Sequence, residues 1–409
     1  MSGRTWGFRS TRRAARLAGL AGAVVLSASG GGMAVAPSAA AAAPHSTVAG
    51  TIKWHPGHYM TSDWWHDAGT PASMAGNELQ VVNTSPNVRG WKGNYYWAAL
   101  ETGKGVYNFS VIDAELARLN QGNPAPRKKL IIGISSSGFL HAKHQDPGGF
   151  LTKVIPSYLT TDPASYGSAP KAGTSGWWYG GGGLSITAAV WRQAVNDRLI
   201  ALLQALGARY NSNPDVEGIV LTETASQVGE GGGYNDTTQL GQLERMLTAA
   251  TAALPNTNVV IENNFMGNQA DTSALVLFQN AHRVAESGPD LLGKTAADKF
   301  SPPKELTWGQ QCVTGYPGTG CGNLTGSIAV IHNVDEPELL GTQFQGAGAP
   351  FTPLDIYNNG EDYLHASHLM WTYLTGQPVN NWPTIAAMIN AHPIRFTACP
   401  KSYPGCDTR

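Results

Sequence analysis

The chain has 409 residues, of which 13% are charged, and its net charge at pH 7 is −1. Five of its 27 basic residues and none of its 28 acidic residues fall within residues 1–43, so the remainder has a net charge of −6. A mildly acidic chain without a block of Lys and Arg excludes nucleic acid or an anionic membrane as an expected partner.

The first predicted element is an export signal over residues 1–43. Arginines between positions 4 and 16 precede a short apolar stretch, 17–26, and an alanine run, 39–43, ends the segment. A charged start, a short apolar middle and small residues at the exit are typical of a cleavable signal peptide. The pair Arg12-Arg13 resembles a twin-arginine signal, and ordinary secretion is the alternative. We therefore expect a secreted or periplasmic protein with no membrane attachment after cleavage.

The rest of the chain alternates between predicted strands and predicted helices. Short apolar runs rich in Val and Ile predict strands at 51–59, 79–83, 129–135, 216–222, 258–263 and 327–332. Such continuous runs indicate strands covered on both faces, as in a parallel sheet. Apolar residues at helical spacing predict helices at 109–121, 187–211, 237–253, 272–286, 363–374 and 384–391. The alternation favours an α/β fold.

Long loops rich in Gly and Trp follow several predicted strands, for example 135–186. A (β/α)8 TIM-type barrel accounts for them best, because its functional loops all lie at the carboxyl ends of the strands. A doubly wound open sheet is the alternative, but the glycine run 180–183 lacks the spacing of a phosphate-binding turn. Without an internal repeat or a linker, residues 44–409 are expected to form a single barrel domain and a monomer.

The four cysteines fall into two close pairs, and in an exported protein such pairs form disulfides. We predict the disulfides Cys312–Cys321 and Cys399–Cys406. Zinc ligation is the alternative, but the spacings fit no known zinc pattern and no histidine lies within either loop. The sequence implies no metal ion and no organic cofactor.

The most informative stretch lies between residues 89 and 119. It contains Trp97-Ala-Ala-Leu-Glu101, then Gly105-Val-Tyr-Asn-Phe-Ser110, then Asp113. This pattern resembles the second-strand region of the barrel glycoside hydrolases, the large clan with two catalytic glutamates at the ends of strands four and seven. The resemblance implies a (β/α)8 barrel that cleaves glycosidic bonds. Outside this stretch, the chain resembles the clan in its architecture and in the order of its elements.

The resemblance also implies catalytic residues. Glu223, at the end of the predicted fourth strand, would be the acid/base, because a carboxyl at the exit of a buried strand can have a raised pKa. The clan usually has asparagine before this glutamate, whereas this chain has Thr222. Glu336 is the first candidate for the partner carboxylate and Asp335 the second, since both follow the predicted seventh strand.

Further residues are predicted to contact a sugar. Indole faces stack on the apolar faces of sugar rings, and polar side chains on the strands can bind hydroxyl groups. Glu262, on the predicted fifth strand, either points into the pocket or forms a buried ion pair. The predicted substrate-binding residues are Trp54, His58, Trp97, Glu101, Trp178, Glu262 and Trp371.

We interpret the chain as a secreted glycoside hydrolase that cleaves a neutral polysaccharide or oligosaccharide by a two-carboxylate mechanism. One alternative is an extracellular barrel that binds glycan without cleaving it. The other is a metal-dependent hydrolase with a three-histidine site, for which the candidates are His55, His58, His332, His365 and His368. The sequence does not choose between a retaining mechanism, with carboxyls ~5 Å apart, and an inverting one, with carboxyls roughly 6.5–9.5 Å apart.

Overall fold

The computed structural model of the protein covers most of the chain beyond residue 49. The described residues are 50–62, 76–122, 124–139, 147–167, 177–180, 185–221, 223–225, 234–264, 266–292, 306–335, 339, 351–375 and 380–409. They belong to one compact unit, Pro44–Arg409. The signal peptide predicted for residues 1–43 lies outside the described residues and stays a prediction.

Eight parallel strands form the centre of the fold. They are β1 (Gly57–Thr61), β2 (Val88–Tyr96), β3 (Lys129–Ser135), β4 (Val216–Leu221), β5 (Asn258–Glu262), β6 (Val284–Ser287), β7 (Ile331–Val334) and β8 (His368–Thr372). They pair in the order β6-β5-β4-β3-β2-β1-β8-β7. A parallel bridge between Glu286 and Val330 joins β6 to the residue before β7 and closes the ring. The predicted (β/α)8 barrel is confirmed.

A helix follows each strand. These helices are α1 (Gly76–Thr84), α2 (Ser110–Leu119), α3 (Gln193–Tyr210), α4 (Asp236–Ala253), α5 (Gln269–Ala281), α6 (Trp308–Thr314), α7 (Pro353–Asn359) and α8 (Trp382–Ala391). Further helical segments are Trp97–Leu100, Pro147–Val154, Ser157–Thr161, Pro163–Tyr166 and a π-helical turn, Gly360–Leu364. None of the described helices has both the length and the apolar character needed to cross a membrane.

The long connections predicted after the strands are confirmed, and they carry small antiparallel sheets. After β3, the segments Ser137–Phe139 and Trp177–Gly180 both pair with Ser185–Ala188. After β2, Glu101–Gly103 pairs with Val106–Tyr107. These sheets continue from the carboxyl ends of the barrel strands.

Two element predictions are wrong, and a third extends too far along the chain. Residues 79–83 lie in helix α1, where Leu79 and Val82 are buried about one turn apart. A short apolar run fits a strand and one face of a helix equally well. The predicted helix 363–374 contains strand β8. The predicted helix 272–286 matches α5 as far as Ala281 but extends into β6. In β6 the buried Glu286 interrupts the apolar pattern by which a buried strand is recognised.

Side chains that point into the barrel form an apolar layer at mid-height. Seven strands contribute one residue each: Tyr59, Ile131, Val220, Val260, Ala285, Ile331 and Met370. Because side chains alternate along a strand, the residue two positions further along also points inward. Six of those residues are polar or lack a side chain: Thr61, Gly133, Glu262, Ser287, Asn333 and Thr372. The carboxyl end of the barrel therefore carries a polar layer on an apolar floor.

The amino end of the barrel is closed by a buried polar cluster around Glu217. The pairing register of β4 shifts between Val216 and Gly218, and Glu217 is fully buried. Its carboxylate accepts from the backbone N–H of His55 at 2.8 Å and contacts His55 Nδ1 at 2.7 Å and His368 Nε2 at 3.2 Å. Burial opposes ionisation, but the two imidazole rings hold the pKa of Glu217 well below its ordinary value.

Both predicted disulfides are confirmed. Cys312 and Cys321 have Cα atoms 5.3 Å apart, and Cys399 and Cys406 have Cα atoms 5.7 Å apart. The second disulfide lies beside a short parallel pairing of Cys406–Asp407 with Ile52–Lys53. The carboxyl-terminal residues are thereby held against the amino end of the barrel.

Candidate active site

Glu223 lies just beyond the carboxyl end of β4. Its backbone has a φ of 29°, in the left-handed region that residues other than glycine rarely adopt. The next residue ties this segment to β5, since the N–H of Thr224 donates to the C=O of Glu262 at 2.9 Å. Thr224 Oγ1 also donates to the C=O of Asn264 at 2.8 Å and accepts from its N–H at 2.9 Å. These contacts hold Glu223 in a conformation that it would not favour alone.

Beside Glu223, three buried side chains from three strands form a hydrogen-bonded group, Lys92–Glu262–Asn333. Lys92 Nζ donates to Glu262 Oε1 at 2.9 Å and to Asn333 Oδ1 at 2.8 Å. Asn333 Nδ2 donates to the same Glu262 oxygen at 2.6 Å. The other oxygen, Oε2, lies 3.4 Å from the backbone nitrogen of Glu223, which donates to it. Both oxygens of Glu262 are therefore engaged by the protein itself.

A glycine on β3 leaves the space that this group needs. A Cβ atom at Gly133 would lie 2.5 Å from Asn94 Oδ1 and 3.1 Å from Lys92 Cε. Real Cβ atoms do not approach other atoms as closely as 2.5 Å, so a larger residue would displace Asn94 and crowd Lys92. Thr61 supports the same region, because its Oγ1 accepts from Asn94 Nδ2 at 3.3 Å and donates to the C=O of Lys92 at 3.1 Å.

The electrostatics of the site favour the protonated form of Glu223. Burial raises the pKa of Glu223 to about 8, and the negative charges of Glu262, Asp290 and Asp335 act in the same direction. A hydrogen bond with the side chain of Asn264 opposes the rise. At neutral pH the carboxyl therefore carries a proton, which is the form that a general acid requires.

Two further carboxyl groups approach Glu223 from the ends of neighbouring strands. Asp290 lies three residues after β6 and Asp335 directly follows β7, and both are buried. Both are near enough for their charges to act on Glu223. The structure thus brings Asp335, the second candidate for the partner carboxylate, to the side of Glu223. Glu336, the first candidate, lies outside the described residues and stays a prediction.

Trp97 and Glu101, which carry the resemblance, form a buried clamp. Glu101 is fully buried, and its Oε2 accepts from Trp97 Nε1 at 2.8 Å. Its Oε1 accepts from the N–H of Gly105 at 2.8 Å and from Arg198 Nη2 at 2.6 Å. Every one of these partners belongs to the chain, so Trp97 and Glu101 do not enter the proposed site. Their contacts join the turn after β2 to helix α3.

His58 and Trp371 pack on the outer side of the barrel. Alternation along β8 turns Trp371 outward, and its Nε1 donates to His58 Nδ1 at 3.0 Å. His58 Nε2 in turn donates to the C=O of His392 at 2.8 Å. Burial lowers the pKa of His58 to about 4, so the ring is neutral and fits this pairing. The expectation that these two residues bind substrate is therefore corrected.

Trp54 is corrected in the same way. It is fully buried at the amino end of the barrel, where its Nε1 donates to the C=O of Thr397 at 2.9 Å and its ring contacts Tyr403 edge-on. Trp178 lies in the edge strand Trp177–Gly180, opposite Thr187, and its substrate role stays a prediction.

Glu262, one of the predicted substrate-binding residues, accepts a hydrogen bond from the backbone N–H of Glu223. The reasoning from sequence missed its partners Lys92 and Asn333. A usable signal was present for Asn333, because it is a polar residue two positions after the apolar Ile331 within a buried strand. Lys92 lies in the segment Gly90-Trp-Lys-Gly93, where no apolar run predicts a strand.

Among the described residues, no group of three or more His, Cys, Asp or Glu side chains is arranged to hold a metal ion. The histidines considered for a metal-dependent hydrolase have separate protein partners. His332 contacts Gln310 Nε2 at 3.2 Å, and His365 stacks on Phe396 at 3.9 Å. His55 and His368 belong to the cluster around Glu217.

The comparisons with known proteins give similarities of structure alone. No protein-family model matches the sequence, and no curated protein is similar to it. Endoglycoceramidase II from Rhodococcus sp., as a lactosyl-enzyme intermediate, aligns with a TM-score of 0.49 and 13% identity over 82% of this chain and 77% of that one. GH5_18 from Streptomyces cattleya, in complex with GlcNAc, aligns with a TM-score of 0.49 and 10% identity over 84% and 80%. Similarity at this level does not assign an activity to this chain.

Proposed function

We propose that this protein is a glycoside hydrolase in which Glu223 is the general acid. The observation that carries the proposal is the position of Glu223 at the carboxyl end of a (β/α)8 barrel, where other carboxyl groups and burial raise its pKa. Functional sites of such barrels lie at this end. Two carboxyl groups with different protonation states are what hydrolysis of a glycosidic bond needs.

The substrate that we propose is a neutral polysaccharide or oligosaccharide outside the cell. The charges of Glu262, Asp290 and Asp335 all act on Glu223, and Lys92 pairs with Glu262. Such a surrounding disfavours sugars that carry carboxylate or sulfate groups. The two disulfides are consistent with secretion, and we propose action as a monomer.

In the proposed reaction, Glu223 donates its proton to the glycosidic oxygen as the bond to the anomeric carbon breaks. The partner carboxylate, Glu336 or Asp335, attacks the anomeric carbon in a retaining reaction and forms a glycosyl-enzyme ester. Glu223, now ionised, then takes a proton from water, which attacks the same carbon and releases the carboxylate. In an inverting reaction the partner carboxylate deprotonates the attacking water directly.

The first test is Glu223→Gln, assayed on a panel of neutral polysaccharides and on aryl glycosides. We expect polysaccharide hydrolysis to fall by 10²-fold or more, roughly the contribution of a general acid. Cleavage of an aryl glycoside with a strongly acidic phenol should fall less, because its leaving group departs without a proton.

The matched control is Glu286→Gln, which removes a buried carboxyl of β6 that has no hydrogen-bond partner among the described residues. This variant should hydrolyse as the wild type does. Equal hydrolysis by Glu223→Gln and the wild type would show that another group is the acid. Binding of glycan by the wild type without any release of sugar would favour the non-catalytic barrel.

A further inference from the structure

We propose that the Lys92–Glu262–Asn333 group is a positioning device for Glu223. Lys92 and Asn333 hold the Glu262 carboxylate in place, and Glu262 in turn holds the backbone of Glu223 and presents a negative charge to its carboxyl. This inference rests on the proposed role of Glu223. It names residues that position Glu223 and alter the pKa of its carboxyl.

Glu262 is built into the protein and is closed to a ligand. The residue is 3% exposed, and its Oε1 accepts from both Lys92 and Asn333. A charged ammonium and an amide N–H on one oxygen satisfy an ionised carboxylate in a buried place. Both oxygens of this carboxylate are engaged by the protein, so we assign it a role that acts through its neighbour Glu223.

The neighbour that Glu262 supports is the strained residue Glu223. A residue other than glycine at positive φ persists only when its surroundings impose that conformation. Here Glu262 contributes twice, because its Oε2 accepts from the N–H of Glu223 and its C=O accepts from the N–H of Thr224. The device therefore fixes where the carboxyl of Glu223 points.

The charges that face Glu223 come from three elements. Glu262 acts from β5, Asp290 from the loop after β6 and Asp335 from the end of β7. Lys92 reaches from β2 to Glu262. Lys92 Nζ forms an ion pair with Glu262 Oε1 at 2.9 Å, so Lys92 maintains the negative charge of Glu262 that faces Glu223. Removal of that charge should make the proton of Glu223 easier to lose.

The test is a carboxyl titration by ¹³C NMR on protein labelled at the glutamate δ-carbon. The signal of Glu223 is assigned by its absence in Glu223→Gln. In Glu262→Gln we expect the midpoint of Glu223 to fall by about one pH unit or more, since one facing negative charge is removed. The alkaline limb of kcat/KM should move down by the same amount.

Lys92→Met is studied by the same measurement and does not alter Glu262. The negative charge of Glu262 then lacks its cation, so the two glutamates together should hold their protons more tightly and the midpoint of Glu223 should rise. Lys92→Arg keeps the charge and should restore most of the wild-type midpoint. These variants carry the test if Glu262→Gln does not fold.

Two matched controls separate this effect from general loss of a buried group. Glu286→Gln removes a buried carboxyl outside the site, and Lys128→Met removes a buried ammonium that donates to the C=O of Ser85 and Val88. Neither should move the midpoint of Glu223. An unchanged midpoint in both Glu262→Gln and Lys92→Met would overturn the proposal, as would an equal shift in Glu286→Gln.

The titration needs no substrate, so its result is independent of the hydrolysis assay. A midpoint that moves as expected, in a protein that hydrolyses no glycan, would support the device and reject the proposed function. Loss of hydrolysis in Glu223→Gln with an unmoved midpoint in the Glu262 and Lys92 variants would do the reverse.

Discussion

At the scale of single residues, the chemistry of this barrel depends on which carboxyl groups carry a proton. Glu223 and Glu217 both belong to the β4 region, Glu223 half-buried and Glu217 fully buried, yet their pKa values move in opposite directions. Glu223 faces other carboxyls, whereas Glu217 faces two histidine rings. Hydrogen bonds from the histidine rings therefore lower the pKa of Glu217, whereas facing carboxylates add to the effect of burial at Glu223.

The raised pKa of Glu223 leads to a prediction about pH. A general acid works only while protonated. The alkaline limb of kcat/KM on a glycan should therefore be flat near pH 7 and fall as pH rises through about 8. The measurement is a pH–rate profile on a polysaccharide. An aryl glycoside with a strongly acidic phenol should show a weaker alkaline limb. An alkaline limb at pH 5 on the polysaccharide would contradict the assignment.

At the scale of elements, a sequence motif can indicate a fold although its residues do not belong to the proposed active site. The pattern from Trp97 to Tyr107 resembles the glycosidase clan and correctly implies a barrel. In the structure it is a clamp, in which Glu101 joins the turn after β2 to Arg198 on α3. A clamp that fixes a strand to the helices around the barrel is a requirement of the fold, whatever reaction the barrel performs.

The clamp predicts a loss of stability in Glu101→Gln. The amide leaves Arg198 without its ion partner and turns a donor toward Trp97 or Gly105, so the free energy of unfolding should fall by about 2 kcal/mol. This is below the value for a wholly buried pair because Arg198 is partly exposed. Urea denaturation measures it.

The control for the clamp is Asp113→Asn, which breaks a more exposed pair with Arg209 and should cost less than about 1 kcal/mol. Folded Glu101→Gln protein should keep its activity. If Glu101→Gln kept full stability but lost hydrolysis, the result would instead favour a role for Glu101 in substrate binding.

At the scale of the whole molecule, the barrel interior has three layers. The polar cluster around Glu217 closes the amino end, an apolar layer fills the middle, and the polar layer with Glu262 and Asn333 opens at the carboxyl end. The apolar middle separates two groups of buried charges. The amino-end cluster is expected to support stability, and the carboxyl-end layer to support function.

Two buried glutamates are expected to differ in how much they contribute to the free energy of unfolding. Glu217→Gln should lower the free energy of unfolding by about 3 kcal/mol at pH 7, because it leaves hydrogen-bonded histidine rings without their carboxylate. Glu286→Gln should change it by less than about 1 kcal/mol, since burial raises the pKa of Glu286 to about 8 and the group is already neutral.

The pH dependence of stability provides the check. The pKa of Glu217 is lowered on folding, so the stability that it contributes is present above its ordinary value of 4.5 and is lost as pH falls through the folded value. Thermal unfolding measured from pH 5 down to pH 2 should therefore show a weaker acid decline in Glu217→Gln than in the wild type. Equal slopes would indicate that other groups control acid unfolding.

The sequence by itself determined the features that depend on neighbours along the chain. Apolar runs such as 129–135 and 216–222 indicated buried parallel strands, and close cysteine spacing indicated both disulfides. The helical period located α2, α4 and α8 to within a few residues. The order of strands and helices was enough to propose the barrel, and the resemblance to the barrel glycoside hydrolases led to Glu223 as its acid.

The tertiary structure alone decided which polar side chains meet. Lys92, Glu262 and Asn333 are far apart in sequence, and closure of the ring brings them into hydrogen-bonding distance. It also decided that Trp54 and Trp371 are packed away from the polar layer, because the direction of a strand side chain depends on the register of its neighbours. The sequence does not show whether an aromatic side chain packs against a helix or faces a ligand. The closed barrel distinguishes these two positions.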